Sequence, residues 1–310
     1  MIARQIFFLL LTVVPFLSSQ EIFDITPGSG TVGITFGRIP ETDLMSRSGS
    51  YESRWFGINA SVPLSRSISI TEEEGTLRQF TLNGSLRRNT TEFSLLSGKR
   101  MISSGWLGGS WFIFTASKEL YLVSGSVGYI GETDPGGTKT PRLRLLALGT
   151  LRLSDPLRMM YGATYSALLG RDLLLPLLGI RWKIADDWSS SLLLPASLSV
   201  RYRAASTVSI SLSFSAAGEK IQTANRGDYP GAASSLQWRT AGVRSMLRTH
   251  VALSDAFGLT VDLGSISKRN ISLYSGTDLI LKEQLMSSRY FSLGLRYKFD
   301  TGGDDDLVLE

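Results

Sequence analysis

Residues 207–217, TVSISLSFSAA, place Val208, Ile210, Leu212, Phe214 and Ala216 on one parity and Thr207, Ser209, Ser211, Ser213 and Ser215 on the other. Successive side chains of a strand point to opposite faces. The stretch therefore predicts a β-strand standing between an apolar phase and a wet one. Which phase lies on which side decides the class of the protein.

The same rhythm recurs along most of the chain. WFGINASVPL (55–64), LRQFTLNGSLRR (77–88), GWLGGSWFIFT (105–115), ELYLVSGSVGYIG (119–131), RLRLLALGTLRLSD (142–155) and LRMMYGATYSALL (157–169) all alternate. So do PLLGIRWKI (176–184), SLLLPASLSVRYR (191–203), MLRTHVALS (246–254), FGLTVDLGS (257–265) and YFSLGLRYKF (290–299). Turn chemistry separates them: DPGG at 134–137, SDPL at 154–157, ADDW at 185–188 and RGDYPG at 226–231. Segments of about ten residues match strands that cross a membrane at a tilt, whereas strands of soluble sandwiches are usually about five or six residues long. Aromatic residues near segment ends (Trp55, Trp106, Tyr121, Trp182, Trp188, Tyr202 and Tyr290) suit interfacial girdles.

The N-terminus reads as a secretory signal. Arg4 precedes an apolar run from Ile6 to Leu17, followed by Ser18, Ser19 and Gln20. The run falls short of the roughly 20 residues a spanning helix needs. There is no cysteine, which excludes disulfides, thiolate zinc sites and a lipoprotein anchor. A closed sheet would supply stability in their place, since closure pairs every backbone group and leaves no edge. The net charge of +5 suits anionic partners without specifying a fold.

The expected fold is all-β: a transmembrane antiparallel up-and-down β-barrel of about twelve strands, with ten to fourteen compatible. The expected organisation is a signal peptide over 1–19, an N-terminal segment over 20–53, a barrel over 54–300 and an acidic tail over 301–310. TVGITFGR (31–38) is a further strand candidate within the N-terminal segment. Even-stranded bacterial barrels keep both termini in the periplasm and their long loops outside. Counting from that strand, and splitting residues 233–253 into two strands, leaves one long connection, 218–232, on the periplasmic side.

The last strand carries the most specific pattern. Ser292, Gly294, Tyr297 and Phe299 fit a polar-x-Gly-x-x-hydrophobic-x-hydrophobic spacing. This resembles the C-terminal signal of outer-membrane proteins and implies reading by the barrel-assembly machinery of a Gram-negative envelope. Residues 161–203 resemble the core of the domain-of-unknown-function 6268 family of outer-membrane β-barrels, through Gly170, Arg171, Asp172, Leu175, Pro176, Gly179, Asp187, Trp188, Leu194 and Pro195. That likeness implies a barrel and brings no catalytic residue with it.

If the apolar parity faces lipid, the other faces a lumen. Arg142, Arg144, Arg158, Arg181, Lys183, Arg201, Arg203, Arg248 and Arg296 then point inward, joined by Arg152, Arg244 and His250, with Asp262 the chief inward carboxylate. Such a lumen would prefer small anionic solutes. The competing expectation is that these bases pair with carboxylates such as Glu72, Glu73, Glu74 and Asp172 and merely fill a narrow barrel. His250 is the only histidine and no serine is its same-face neighbour on the strand, so a Ser-His hydrolase is disfavoured. No phosphate-binding glycine loop and no basic run interleaved with aromatics points to nucleic acid, and no cofactor is implied. The expected role is a passive outer-membrane pore or transporter, with an accessory barrel lacking a channel as the alternative and a lipid-modifying enzyme as a third.

Overall fold

A computed structural model describes residues 29–46, 48–70, 75–115, 119–134, 137–168, 171–195 and 197–300. The expected signal peptide and acidic tail lie outside them. The described chain forms one antiparallel sheet: β1 (Ser29–Asp43), β2 (Ser50–Ile70), β3 (Gly75–Phe93), β4 (Lys99–Thr115), β5 (Leu120–Glu132), β6 (Lys139–Arg152), β7 (Leu157–Leu168), β8 (Arg171–Lys183), β9 (Trp188–Leu194), β10 (Ser197–Ala205), β11 (Val208–Ala224), β12 (Ser235–Ala252), β13 (Phe257–Ser275), β14 (Asp278–Gln284) and β15 (Ser288–Asp300). From β1 to β14 each strand pairs with the next, and β15 pairs with both β13 and β1, so the sheet closes. β14 and β15 lie in succession along β13 (Asn270 opposite Gln284, Ile266 opposite Ser288) and form two halves of one strand. The result is a closed fourteen-stranded barrel that begins at Ser29, well before the expected boundary at residue 54.

Alternation sets the two faces. In β11, Ile210, Leu212 and Phe214 are exposed on the outside, whereas Ser211 and Ser213 are buried inside. Forty-two large apolar side chains are exposed among the described residues. A contiguous surface of that kind is not one that water tolerates. Trp111, Tyr121, Tyr161, Trp182, Trp188, Tyr202, Phe257 and Tyr297 ring the outer face near the end where both termini emerge, and Trp188 stacks on Tyr202 at 4.7 Å. Of the aromatics expected in girdles, Trp55, Trp106 and Tyr290 instead face the lumen, because their parity matches the buried residues of their strands.

The two ends differ. Connections at the termini end run over 71–74, 116–119, 153–156, 184–187, 206–207 and 253–256, none longer than four residues. The opposite end, here the far end, carries the longer connections 44–49, 94–98, 133–138 and 225–234, together with two-residue connections at 169–170, 195–196 and 276–277. The long connection therefore lies away from the termini, not beside them as expected. The misplacement arose at SLLLPASLSVRYR, which is not one strand: the chain reverses between Leu194 and Ser197, with Leu193 opposite Ser197, whereas 233–253, expected to form two strands, holds the single strand β12. Residues paired across so short a hairpin keep the same parity, so the alternation continues through the reversal and conceals it.

That hairpin is short, and its shortness reshapes the wall. In β8, residues 171–177 pair only with β7, and in β11, residues 216–224 pair only with β12. The far half of β11 leans inward across β5, β6 and β7, where the Thr140 hydroxyl donates to Gln222 and Arg142 donates to the Lys220 carbonyl. Ala216, Ala217 and Gly218 at the bend allow this close approach, and Ala216 is 2% exposed despite its outward parity. Above the lumen, Tyr51, Phe93, Ile102, Ile221, Leu236, Trp238, Ile271 and Leu273 pack into an apolar lid, with Trp238 stacked on Phe93 at 5.6 Å.

Candidate functional site: the lumen and its far-end closure

Two cavities occupy the barrel interior. A vestibule of about 750 Å³ lies toward the termini end and is lined by hydroxyl-bearing residues together with Arg144, Arg201, Arg296 and Lys298. Deeper in lies a chamber of about 480 Å³. Asn59, Ser85, Trp106 and Arg144 line both, so they form the partition between them. The Arg144 guanidinium lies over the Trp106 ring at 3.0 Å from its centroid. A flat cation on an aromatic face is held in place without losing its charge.

The chamber is strongly basic. Arg87, Arg142, Arg144, Lys220, Arg244, Arg248 and Arg269 line it, against Glu219 and Asp262 as its only carboxylates. Inward-turned aromatics position several of these cations: Arg87 over Trp55 at 5.0 Å, Arg269 over Tyr51 at 4.0 Å and Arg244 over Tyr290 at 5.5 Å. Asp262 is engaged by Arg248 through Nε at 2.8 Å and Nη2 at 3.1 Å, and it also accepts the Ser292 hydroxyl at 3.0 Å. Ser292 thus serves the lumen as well as occupying its place in the C-terminal pattern.

All nine expected basic residues share the inward parity, and the structure sorts them by depth. Arg142, Arg144 and Arg248 reach the chamber. Arg201 and Arg296 line the vestibule, with Arg201 donating to the Ser209 hydroxyl at 3.2 Å. Arg158 and Arg181 stand directly opposite one another near the termini-end mouth, and Arg152, ion-paired with Asp155, stands opposite Arg158, so like charges sit side by side there. Lys183 and Arg203 sit exposed at the rim, Lys183 paired with Asp186 at 2.7 Å. Asp186, in a turn, is held below its ordinary value by that hydrogen bond and charge. Arg142 does pair with Asp172, at 3.3 Å. Glu72, Glu73 and Glu74 lie outside the described residues.

Sequence reasoning missed Arg87, Arg269 and the closure. Arg87 follows Leu86, whose outward parity was already legible. Arg269 was hidden, because a bulge opposite Ala241 and Val243, with Lys268 at φ 50°, shifts the parity of β13. The closure centres on Arg100, whose side chain is 1% exposed and donates to Glu132 at 3.2 Å, to Asp228 at 2.5 Å and to the Ala224 carbonyl at 3.0 Å. Glu132 also accepts the Thr223 hydroxyl at 2.8 Å, the Ala224 N–H at 2.7 Å and Arg226 at 2.6 Å. Burial pushes the Asp228 carboxyl up, but the Ser97 hydroxyl and N–H together with Arg100 outweigh it and hold the group below its ordinary value. Asp134 behaves alike, with Arg226 and the Met101 N–H overcoming burial. This network ties the loop over 225–234 and the leaning half of β11 to the ends of β4 and β5.

His250 bonds through Nδ1 with the Thr260 hydroxyl at 3.3 Å. Ser209 stands opposite it in register, and its hydroxyl accepts from Arg201.

No protein-family model matches the chain, and no curated protein does. Among solved structures, the COG4313 outer membrane channel from Pseudomonas putida F1 aligns with 89% of this chain and 97% of its own at 11% identity, TM-score 0.47. The translocator domain of the autotransporter NalP from Neisseria meningitidis aligns over 90% and 92% at 13% identity, TM-score 0.42. The P. putida toluene transporter TodX aligns over 91% and 92% at 9% identity, TM-score 0.38. Likenesses this loose transfer neither solute nor mechanism, and the reading below stands on the residues of this chain.

Proposed function

We propose that this protein is an outer-membrane β-barrel that admits small anionic solutes from the periplasm into a basic lumen and is gated at its far, outward end. The apolar outer face with its aromatic ring at one level supports membrane insertion, and an even strand count with both termini at the short-turn end supports that orientation. The observation that carries the solute class is the excess of basic over acidic residues along the lumen, from the Arg158–Arg181 row at the mouth to the chamber. The reading includes a cleaved N-terminal signal, delivery by the barrel-assembly machinery through Ser292, Gly294, Tyr297 and Phe299, contact with outer-membrane lipid and kinship with the domain-of-unknown-function 6268 family. Enzymatic chemistry is not part of it.

The test is conductance of the refolded, signal-free protein in a planar bilayer under a salt gradient. Anion preference is expected, falling when Arg144 and Arg201 are changed to Gln; cation preference would overturn the proposal. The far-end closure favours a second reading, an accessory barrel with no through-channel. Silence of both the wild type and a variant with the closure broken, such as Glu132→Gln, would establish that reading.

A further inference from the structure

Five hydrogen-bond donors on residues that line the chamber have no acceptor among the described residues: Arg142 Nε, Arg244 Nε, Arg269 Nη1, Trp238 Nε1 and the Tyr290 hydroxyl. All are buried atoms, and Trp238, Arg269 and Tyr290 are 2%, 8% and 7% exposed as residues. Each unsatisfied buried donor costs about 1–3 kcal/mol, and more if charged, so several on residues that line one cavity call for an explanation. The carboxylates at hand do not supply it: Asp262 is committed to Arg248 and Ser292, Asp172 to Arg142 and Lys220, and Glu219 alone is left against Arg87, Arg144, Arg244 and Arg269.

The same chamber stands out in its construction. A general anion-selective pore needs only a positive field along its walls. Here the cations are fixed in orientation by aromatic rings, and fixing donors in advance lowers the cost of ordering them around a ligand. The lid of Trp238, Phe93 and Tyr51 closes the chamber on one side and the Arg144–Trp106 pair partitions it from the vestibule on the other, which strengthens every charge interaction within.

We infer that the chamber is a specific binding site for a compact multivalent oxyanion, of the phosphate-ester or polycarboxylate kind, rather than a transit segment of a general anion pore. A monovalent halide offers no directed lone pairs on separate atoms, whereas an oxyanion with several oxygens can accept from neighbouring donors, such as the Arg244 guanidinium and the hydroxyl of Tyr290, whose ring lies 5.5 Å from it. The inference rests on the lumen being open to solutes from the termini end, and it does not require passage through the far end.

The test is isothermal titration of the folded protein in lipid nanodiscs in 150 mM NaCl, with empty nanodiscs subtracted, using pyrophosphate, citrate and acetate as probes. Saturable one-to-one binding of pyrophosphate or citrate, at least tenfold tighter than acetate, is expected. The tighter of the two distinguishes a phosphate-ester from a polycarboxylate ligand. Arg244→Gln should weaken binding at least tenfold, and Tyr290→Phe, which removes only a hydroxyl, at least threefold. Arg54→Gln, on the outward parity of β2 and away from the lumen, should leave it within twofold. Retained heat-modifiable migration on gels confirms folding of each variant. Absence of saturable binding, acetate binding as tightly as the multivalent probes, or full affinity in folded Arg244→Gln and Tyr290→Phe would overturn the inference. Failure of binding alongside anion-selective conductance would leave the pore reading standing, and binding by a silent barrel would do the reverse.

Discussion

Replacing Glu132 with Gln should unlatch the leaning half of β11 and little else. The carboxylate, fully buried, accepts four hydrogen bonds: Thr223 and Ala224 on one oxygen, Arg100 and Arg226 on the other. Gln keeps the size but offers one acceptor oxygen, and its amide sets donors against donors while Arg100 loses a charge partner. Removing one member of a buried pair costs about 3–5 kcal/mol, and the surviving Asp228 contact places this case near the lower figure. Because Thr223 and Ala224 belong to the segment that has no β10 partner, the loss should appear locally. At about 1.4 kcal/mol per decade, amide exchange across 216–224 should accelerate roughly a hundredfold to a few thousandfold, with β2 and β3 unchanged. Hydrogen exchange read by mass spectrometry in nanodiscs measures this. The double variant Arg100→Met with Glu132→Gln should cost less than the two singles added, since neither charge is then stranded by the loss of the other. Unchanged protection over 216–224 in Glu132→Gln would refute the reasoning.

Acid should act on the same closure. Asp228 and Asp134 are depressed in the folded state, so their contribution is complete above the ordinary carboxylate value near 3.8 and is lost as pH falls through their lower folded values. Conductance should stay level from pH 8 to pH 5 and rise only below about pH 4; a rise between pH 7 and pH 5 would contradict this assignment. Gly128→Ala should destabilise by about 1–3 kcal/mol, because the new Cβ would lie 2.2 Å from the Gly105 carbonyl oxygen and 2.7 Å from the Trp106 ring, so β4 and β5 must part. A lowered urea midpoint in vesicles, with weakened anion preference as Trp106 and Arg144 shift, would show it. Asp172→Asn should lower the unfolding free energy read from the same titration by no more than about 1 kcal/mol, since Asp172 is 41% exposed and its pairs with Arg142 and Lys220 are solvent-screened.

Much of the wall was legible because alternation is a local property. Leu192, Leu198, Leu212 and Leu295 each declare their face through their immediate neighbours, and so do Arg181, Arg201 and Arg296. The same locality accounts for what was misread. The reversal after Leu194 keeps parity and so left no trace, which merged two strands into one and put the 225–234 connection at the wrong end. The bulge at Lys268 breaks parity without any residue type that signals it, which concealed Arg269. Trp55, Trp106 and Tyr290 were assigned to the interface by residue type, although parity turned them inward to hold arginines.

The sequence by itself determined that the chain alternates between an apolar and a wet face in strands long enough to cross a membrane, and that its wet face is basic. Only the tertiary structure decided that the lumen is closed at the far end, divided by Arg144 and Trp106, and lined by donors that lack acceptors. The physical reason is that period-two patterning is set by adjacent residues, whereas the meeting of Glu132 with Ala224, or of Arg269 with Tyr51, depends on which strands face one another across the barrel. That in turn follows from one short hairpin, β9 to β10, which leaves half of β11 without a neighbour and obliges it to pack inward.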